Sequence, residues 1–423
     1  MKISRVNRLF LLSGAFALAA GSIYAQATTF AIMPASSVPS GAYRPYLWSV
    51  SVAAPAALVH GPGQNCGSPN VCYYFPSDIV TAYATGFILN GQGGAGITVA
   101  IVDAYYNSQT EADLGSFSTF FGLPACTIAN GCLTIVSQTG GAPTAGFNAS
   151  WSEETDLDVQ WVHAMAPNAK ILLVTGDSNT FQDLGTAILY AQAHADVVSN
   201  SYGANEFSGE ATIDTYYSSS TVPILFSSGD TGAVSEYPCA STYVTCVGGT
   251  HLLETSTSYR NVESVWGNGT AGNGGSSGGC SSQISAPSWQ TGYSTALCGT
   301  ARGMPDIAAL ADPLTGALVY LGTNASGGAS GLYDFGGTSL ACPLTAGLIA
   351  NIDAARVAAG KSKIGANLPS LIYQAAASPY YHYRFYDVTT GSSGFAAGSG
   401  WDKATGLGVP LFPALTNYLV GLP

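Results

Sequence analysis

The sequence predicts an α/β fold, a three-layer sandwich with a mostly parallel central sheet flanked by helices. Two observations carry this. Four runs of strand length, I-T-V-A-I-V-D at 97–103, K-I-L-L-V-T at 170–175, D-V-V-S-N-S at 196–201 and V-P-I-L-F-S-S at 222–228, are apolar almost throughout instead of alternating. Strands of that kind are buried on both faces. Helical patterns near 154–166 and 181–194 lie between them, and strands alternating with helices pair in parallel. The 423-residue chain is long enough for one domain of catalytic size, expected over 73–423.

The segments before and after the first strand read differently. M-K-I-S-R-V-N-R, then L-F-L-L-S-G-A-F-A-L-A-A-G, then a small residue at Ala25, describes a secretory signal peptide at 1–25. No later run reaches about 18 uninterrupted apolar residues, so an exported protein with no membrane association after signal removal is expected. Residues 26–72 are rich in Ala, Pro, Ser and Gly and read as a short leader or linker. The stretch G-N-G-T-A-G-N-G-G-S-S-G-G-C-S-S at 267–282 reads as a surface loop.

The net charge of −12 argues against nucleic acid and anionic lipid as partners. Without residues 1–25, nine basic side chains face 24 acidic ones, and the imbalance grows. Only 9% of the residues are charged, so few ion pairs are lost when acid protonates carboxylates. Eight of the nine cysteines form close sequence pairs, Cys66/Cys72, Cys126/Cys132, Cys239/Cys246 and Cys280/Cys298, with Cys342 left over. In an exported chain these read as short-range disulfides. A monomer is the default expectation.

In parallel sheets, ligands bind at the carboxyl ends of the strands. Two features fall near such ends. The first is S-E-E-T-D-L-D-V-Q at 152–160, which puts four carboxylates within six positions. On a helix over 154–166, Glu154 and Asp158 share the apolar stripe of Leu157, Trp161, Val162 and Met165, while Glu153 and Asp156 point elsewhere and read as solvated charges at a helix start. Like charges at i and i+4 repel, so a buried pair shares a proton, which is a basis for acid/base chemistry. A rotated helix with both acids solvated is the alternative.

The second feature is G-G-T-S-L-A-C-P-L-T-A-G at 336–347, which puts Ser339 at a glycine-flanked turn opening a helix. Such a serine is either a nucleophile or an N-cap. Pro343 is expected within the first helical turn, where a missing N–H costs little. None of the five histidines stands in a setting that marks it as a base for Ser339. D-T-G at 230–232 occurs once, whereas aspartic-protease chemistry needs two such motifs. Asp103, at the end of the first strand, either extends a network with Glu154 and Asp158 or caps a loop.

E-T-D-L-D-V-Q-W-V-H-A-M-A-P-N-A-K at 154–170, S-S-G-D-T-G at 227–232 and G-G-T-S-L-A-C-P at 336–343, supported by R-G-M-P-D-I-A-A-L-A-D-P at 302–313, together resemble the sedolisin family, the serine-carboxyl peptidases with a subtilisin-like fold. The resemblance implies Ser339 as nucleophile, Glu154 as its general base, Asp158 orienting Glu154, and Asp230 as a protonated donor to the oxyanion. It also implies one Ca2+ ion held by the side chains of Asp387 and Asp402 and the carbonyls of Val388, Gly398 and Gly400. The expected activity is that of a secreted, acid-active endopeptidase on protein or peptide substrates. Tripeptidyl-peptidase activity and a non-catalytic exported binding protein are the alternatives. Three departures stand out. Residues 26–72 are far shorter than the family's folded propeptide, Tyr202 stands where the family often has tryptophan, and Gly336 replaces a frequent serine.

Overall fold

The computed structural model describes residues 30–31, 41–46, 48–50, 66–67, 71–83, 92–255, 258–267, 274–322 and 329–423. The signal peptide expected at 1–25 lies outside them. The apolar runs form the sheet as expected. Its strands are β1 Thr98–Ala104, β2 Leu133–Ser137, β3 Lys170–Gly176, β4 Val197–Asn200, β5 Ile224–Ser227, β6 Thr245–Thr255, β7 Ser258–Val265 and β8 Ile307–Leu310. The spatial order is β7-β6-β5-β4-β1-β3-β2, with β8 also paired to β6. Every pairing is parallel except β6 with β7.

Alternate residues of each strand enter two different cores. Val99, Ile101, Ile171, Leu173, Val197 and Leu225 pack on one side with Leu157, Trp161, Leu344 and Leu348. Ala100, Val102, Leu172, Val174, Val198 and Phe226 pack on the other with Leu184, Ala187, Ile188 and Ala191. Each large aliphatic side chain so buried contributes roughly 1.5–3 kcal/mol, which is why these strands carry no polar face. The helices that cover the sheet are α1 Thr110–Phe121, α2 Ala149–Met165, α3 Phe181–His194 and α4 Thr338–Ala358. Among the described residues, α4 is the one helix long and apolar enough to cross a membrane, and 89% of its apolar window is buried inside the protein.

Two local expectations are corrected. Helix α2 begins at Ala149, capped by the Asn148 side chain, which accepts from the Trp151 amide at 3.3 Å. The four acids therefore lie in the second and third turns, away from the positive helix end. Asp156 is buried and accepts from Asn107 Nδ2 at 3.1 Å, so it is not a solvated charge. Pro343 is the sixth residue of α4, in the second turn. Its missing N–H frees the carbonyl four residues back, that of Ser339. The Ser201 hydroxyl reaches that carbonyl at 3.4 Å.

Three expected disulfides are formed, Cys126–Cys132, Cys239–Cys246 and Cys280–Cys298, and Cys342 is free and buried. The side chains of Cys66 and Cys72 lie outside the described set, although their backbones face each other in an antiparallel pair. Part of the leader belongs to the folded body: Arg44–Pro45 pairs with Tyr202–Asn205, and Trp48–Val50 pairs with the strand Gly331–Gly336.

Candidate active site

The site lies at the carboxyl end of the sheet. Strand β1 runs into Asp103, β4 into Ser201, and β5 into Ser228, Gly229 and Asp230. Gly229 has φ +108°, and a Cβ there would meet Glu236 Oε1 at 2.5 Å, so only glycine makes this turn. Helix α2 contributes Glu154 and Asp158, and α4 opens at Thr338 directly after Gly337, whose φ is +101°. A side chain at Gly337 would press on Asp230 Oδ2 at 2.7 Å and on the Tyr46 carbonyl, which fixes the approach of the two segments.

Glu154, Asp158, Asp103 and Ser339 are fully buried. Burial, then the neighbouring Asp158 and Asp103, push the Glu154 carboxyl well above the usual carboxylate range, and the nearby Ser339 hydroxyl pulls it back. Asp158 is raised by burial and by Asp103, and is pulled down by the Ser201 hydroxyl, which donates to Oδ1 at 2.8 Å. Burial raises Asp103 to about 7. The three acids form one proton-sharing cluster, because three ionised carboxylates cannot coexist in a dry site. Asp103 thus belongs with Glu154 and Asp158.

Ser339 Oγ lies 3.3 Å from the Ser201 carbonyl oxygen, and its hydroxyl also acts on Glu154. Neither Glu154 oxygen has a donor of standard hydrogen-bond geometry among the described residues. Glu154 therefore lies beside the serine with no competing donor among the described residues. Asp230 Oδ1 accepts from the Thr338 amide and hydroxyl, each at 2.8 Å. Oδ2 is buried with no donor among the described residues. Burial, the largest effect, pushes Asp230 well above the usual range, with Glu236 adding to the rise and Arg44 opposing it. No described histidine takes part. His163 is committed to the Pro124 carbonyl at 2.8 Å and His251 to Asp312 at 2.8 Å.

Several residues in the site carry no local sequence signal. Arg44 Nη2 donates to Glu236 Oε2 at 2.8 Å, and the Tyr46 hydroxyl donates to the same oxygen. Ser277 donates to Glu236 Oε1 at 2.9 Å. Tyr202 is buried against Trp151, with ring centroids 5.7 Å apart, and donates to Asn200 at 3.0 Å. Its ring therefore fills space beside the acids without contributing a reacting group. At Gly336 a Cβ would meet Pro313 N at 2.5 Å, so the glycine there is a packing requirement.

Asp387 and Asp402 flank Gly398–Gly400. Asp387 accepts from the Gly400 amide at 3.1 Å and from Tyr381 at 3.0 Å. Asp402 accepts from the amides of Gly398 at 3.0 Å and of Ala404 and Thr405, both at 2.8 Å. No described cationic side chain pairs with either acid. The carbonyl oxygens of Val388, Gly398 and Gly400 accept from no described residue. Two hydrogen-bonded carboxylates without a described cationic partner and three carbonyls without a described donor are hard oxygen ligands, the chemical type that calcium takes. Cys126, Cys132 and His163 also converge. Both sulfurs there are in a disulfide, so that group is not a metal site.

The chain is similar to known proteins in sequence and in fold. Residues 139–401 match the profile of the subtilase family. Kumamolisin of Bacillus sp. (strain MN-32) is 29% identical over 82% of this chain and 64% of its own length, and sedolisin of Pseudomonas sp. (strain 101) is 30% identical over 81% and 61%. The chain thus spans less than two thirds of these relatives. The solved structure of Pseudomonas sedolisin, a serine-carboxyl proteinase complexed with two molecules of pseudo-iodotyrostatin, superposes with a TM-score of 0.69 at 27% identity, covering 82% of this chain and 98% of that one. The fold is the subtilisin-like α/β fold, and the chain belongs to the subtilase family, within its sedolisin group.

Proposed function

We propose that this protein is a secreted, acid-active serine-type endopeptidase working through Ser339, Glu154, Asp158 and Asp230. The carrying observation is the convergence of a buried serine, a carboxylate pair of which Glu154 interacts with it, and a further buried carboxyl with an oxygen that has no donor among the described residues. Ser339 Oγ attacks the peptide carbonyl while Glu154 takes its proton and later returns it to the leaving amine. Asp158, held by Ser201, fixes the orientation and proton count of Glu154. Asp230, kept protonated by burial, donates a hydrogen bond to the developing oxyanion.

The pH dependence follows from the signs. The base needs the acid cluster to release a proton, which sets the acid limb. The oxyanion donor needs Asp230 to keep its proton, which sets the limb towards neutrality. Calcium, held by Asp387, Asp402 and the carbonyls of Val388, Gly398 and Gly400, supplies a positive charge that ties the C-terminal loop together and takes no part in the chemistry. Protein or peptide chains are the substrates, and residues 73–423 are the catalytic domain. The disulfides and the signal-like N-terminus support an oxidising, extracellular or periplasmic location.

The test is hydrolysis of denatured casein by the purified protein and by Ser339→Ala. Activity should be confined to acid and fall at least about a thousandfold in the variant. A folded wild-type sample with no hydrolysis at any pH contradicts the reading.

A further inference from the structure

Asp113 of α1 and Asp156 of α2 form a second pair of buried carboxyls, outside the cluster around Ser339, and each is 2% exposed. Asp156 stands between Glu154 and Asp158 in sequence. A two-residue step turns a helix by roughly 200°, so Asp156 leaves α2 on the side away from Glu154. The two carboxyls hydrogen-bond to each other, which takes one proton. Asp156 Oδ2 accepts from Asn107 Nδ2 at 3.1 Å, and the Thr110 hydroxyl also acts on this carboxyl. Asp113 accepts from the amide of Gly322, just past the strand Thr315–Leu321, where a side chain would collide with Asp113 Oδ1. This leaves Asp156 Oδ1 and Asp113 Oδ2, both buried and without a donor among the described residues.

One proton between those oxygens satisfies both, whereas without it two carboxylates confront each other in a dry site. Burial, then Asp113, pushes Asp156 well above the usual carboxylate range, and Glu153 adds to the rise. Asp113 is raised by burial, but the Gly322 amide and Asp156 both pull it down. The proton therefore resides on Asp156. No described cationic side chain pairs with either acid.

Three consecutive residues of α2 thus meet three partners. Glu154 acts with Ser339, the Thr155 hydroxyl with Asp103, and Asp156 with Asn107 and Asp113. Further along the helix, Gln160 exchanges hydrogen bonds with the Tyr320 backbone, both at 2.8 Å, and Trp161 donates to the Leu318 carbonyl at 3.1 Å. The C-terminal half of α2 is fixed by bonds that do not titrate, while its polar attachment to α1 depends on a proton. Loss of that proton leaves the half that carries Glu154 free to pivot about Gln160.

Resting on the peptidase reading above, we propose that Asp113 and Asp156 are positioning residues for Glu154, a shared-proton clamp that holds α2 against α1 in acid and releases it towards neutral pH. Below the titration of Asp156 the clamp is closed and the base is aligned on Ser339. As pH rises through that titration, repulsion between the two carboxylates opens it.

The experiment is the pH profile of kcat and KM for denatured casein between about pH 3 and pH 8. Asp156→Leu, which removes the clamp, should lower kcat at about pH 4 by roughly ten- to a hundredfold and leave KM within about twofold, because the base is what shifts. Asp156→Asn carries an N–H that donates to Asp113 at every pH and an oxygen that still accepts from Asn107, so it should restore kcat in acid. In the Asp230→Asn chain the oxyanion donor no longer titrates, and adding Asp156→Asn to it should extend the neutral limb by about one pH unit. That double variant decides the case if Asp156→Leu does not fold. A folded Asp156→Leu chain as fast as the wild type in acid, or a double variant with the neutral limb of Asp230→Asn alone, overturns the proposal, while casein hydrolysis by the wild type leaves the peptidase reading standing. A folded wild type with no hydrolysis at any pH overturns both.

Discussion

Asp230 Oδ1 accepts two hydrogen bonds from Thr338, one from its amide and one from its hydroxyl, each 2.8 Å long, and Thr338 directly precedes Ser339. The proposed oxyanion donor and the proposed nucleophile are therefore held by one short segment. Both donors sit on Oδ1, so the proton that burial retains belongs on Oδ2. Asp230→Ala should lower kcat by about 10²–10³, the usual loss for one such donor. Asp230→Asn keeps an N–H donor that does not titrate. It should retain more activity than the alanine variant, and its rate should persist further towards neutral pH. Profiles of kcat against pH for the two variants check this.

Glu154 and Asp158 should separate by size of effect. Glu154→Gln removes the carboxylate on which the Ser339 hydroxyl acts and should cost about 10³–10⁴ in kcat, a loss in the range of general base catalysis. Asp158→Asn preserves the hydrogen bond to Ser201 and should cost less, while lowering the pH of the acid limb because a coulombic neighbour that raises Glu154 is gone. Circular dichroism on both should report an intact fold.

Stability should be highest in acid. Asp103 and Asp353 are raised to about 7 by burial, and Glu210 to about 8. Each binds a proton more tightly folded than unfolded, so its stabilising contribution is complete below about pH 4 and is lost as pH rises towards 7 or 8. The melting temperature of the Ser339→Ala chain, which does not digest itself, should therefore fall steadily between pH 4 and pH 8. A melting temperature that rises over that range contradicts the assignment.

Arg302 and Asp306 form a fully buried ion pair at 2.7 Å, and Asp306 also accepts from the Cys246 amide at 2.8 Å and from Tyr373 at 3.0 Å. Removing one partner strands a charge, so Arg302→Ala should cost about 3–5 kcal/mol in urea unfolding. The motif R-G-M-P-D-I thus serves the core, and a variant that still folds should keep its cleavage preference.

Calcium should act on stability rather than on the chemical step. Saturating calcium at 100 times its dissociation constant adds about 2.7 kcal/mol. The melting temperature of the wild type should drop on chelation by a few degrees, and Asp387→Ala or Asp402→Ala should start from the lower value and respond to neither calcium nor chelator.

The four central strands and α3 were legible to within about two residues, since continuous burial leaves an unbroken apolar run. Glu154 and Asp158 were legible because they interrupt an apolar stripe. Asp156 was misread because the helix starts five residues earlier than its apolar pattern, at the Asn148 cap. Pro343 was misplaced for a related reason: nothing local marks Gly337 as the last non-helical residue. Arg44, Tyr46 and Glu236 left no signal at all. The bonds from Arg44 and Tyr46 to Glu236 join positions 190 or more residues apart and depend on a strand pairing that no periodicity encodes.

The central claim is that a carboxylate, Glu154, does the work of a base on Ser339. Its most direct test is the rate of hydrolysis of denatured casein between pH 2.5 and 8, by wild type and by Glu154→Gln. A bell confined to acid is expected for the wild type, and a rate about a thousandfold lower across the whole range for the variant. An optimum at neutral or alkaline pH, or a Glu154→Gln enzyme as fast as the wild type, would contradict it.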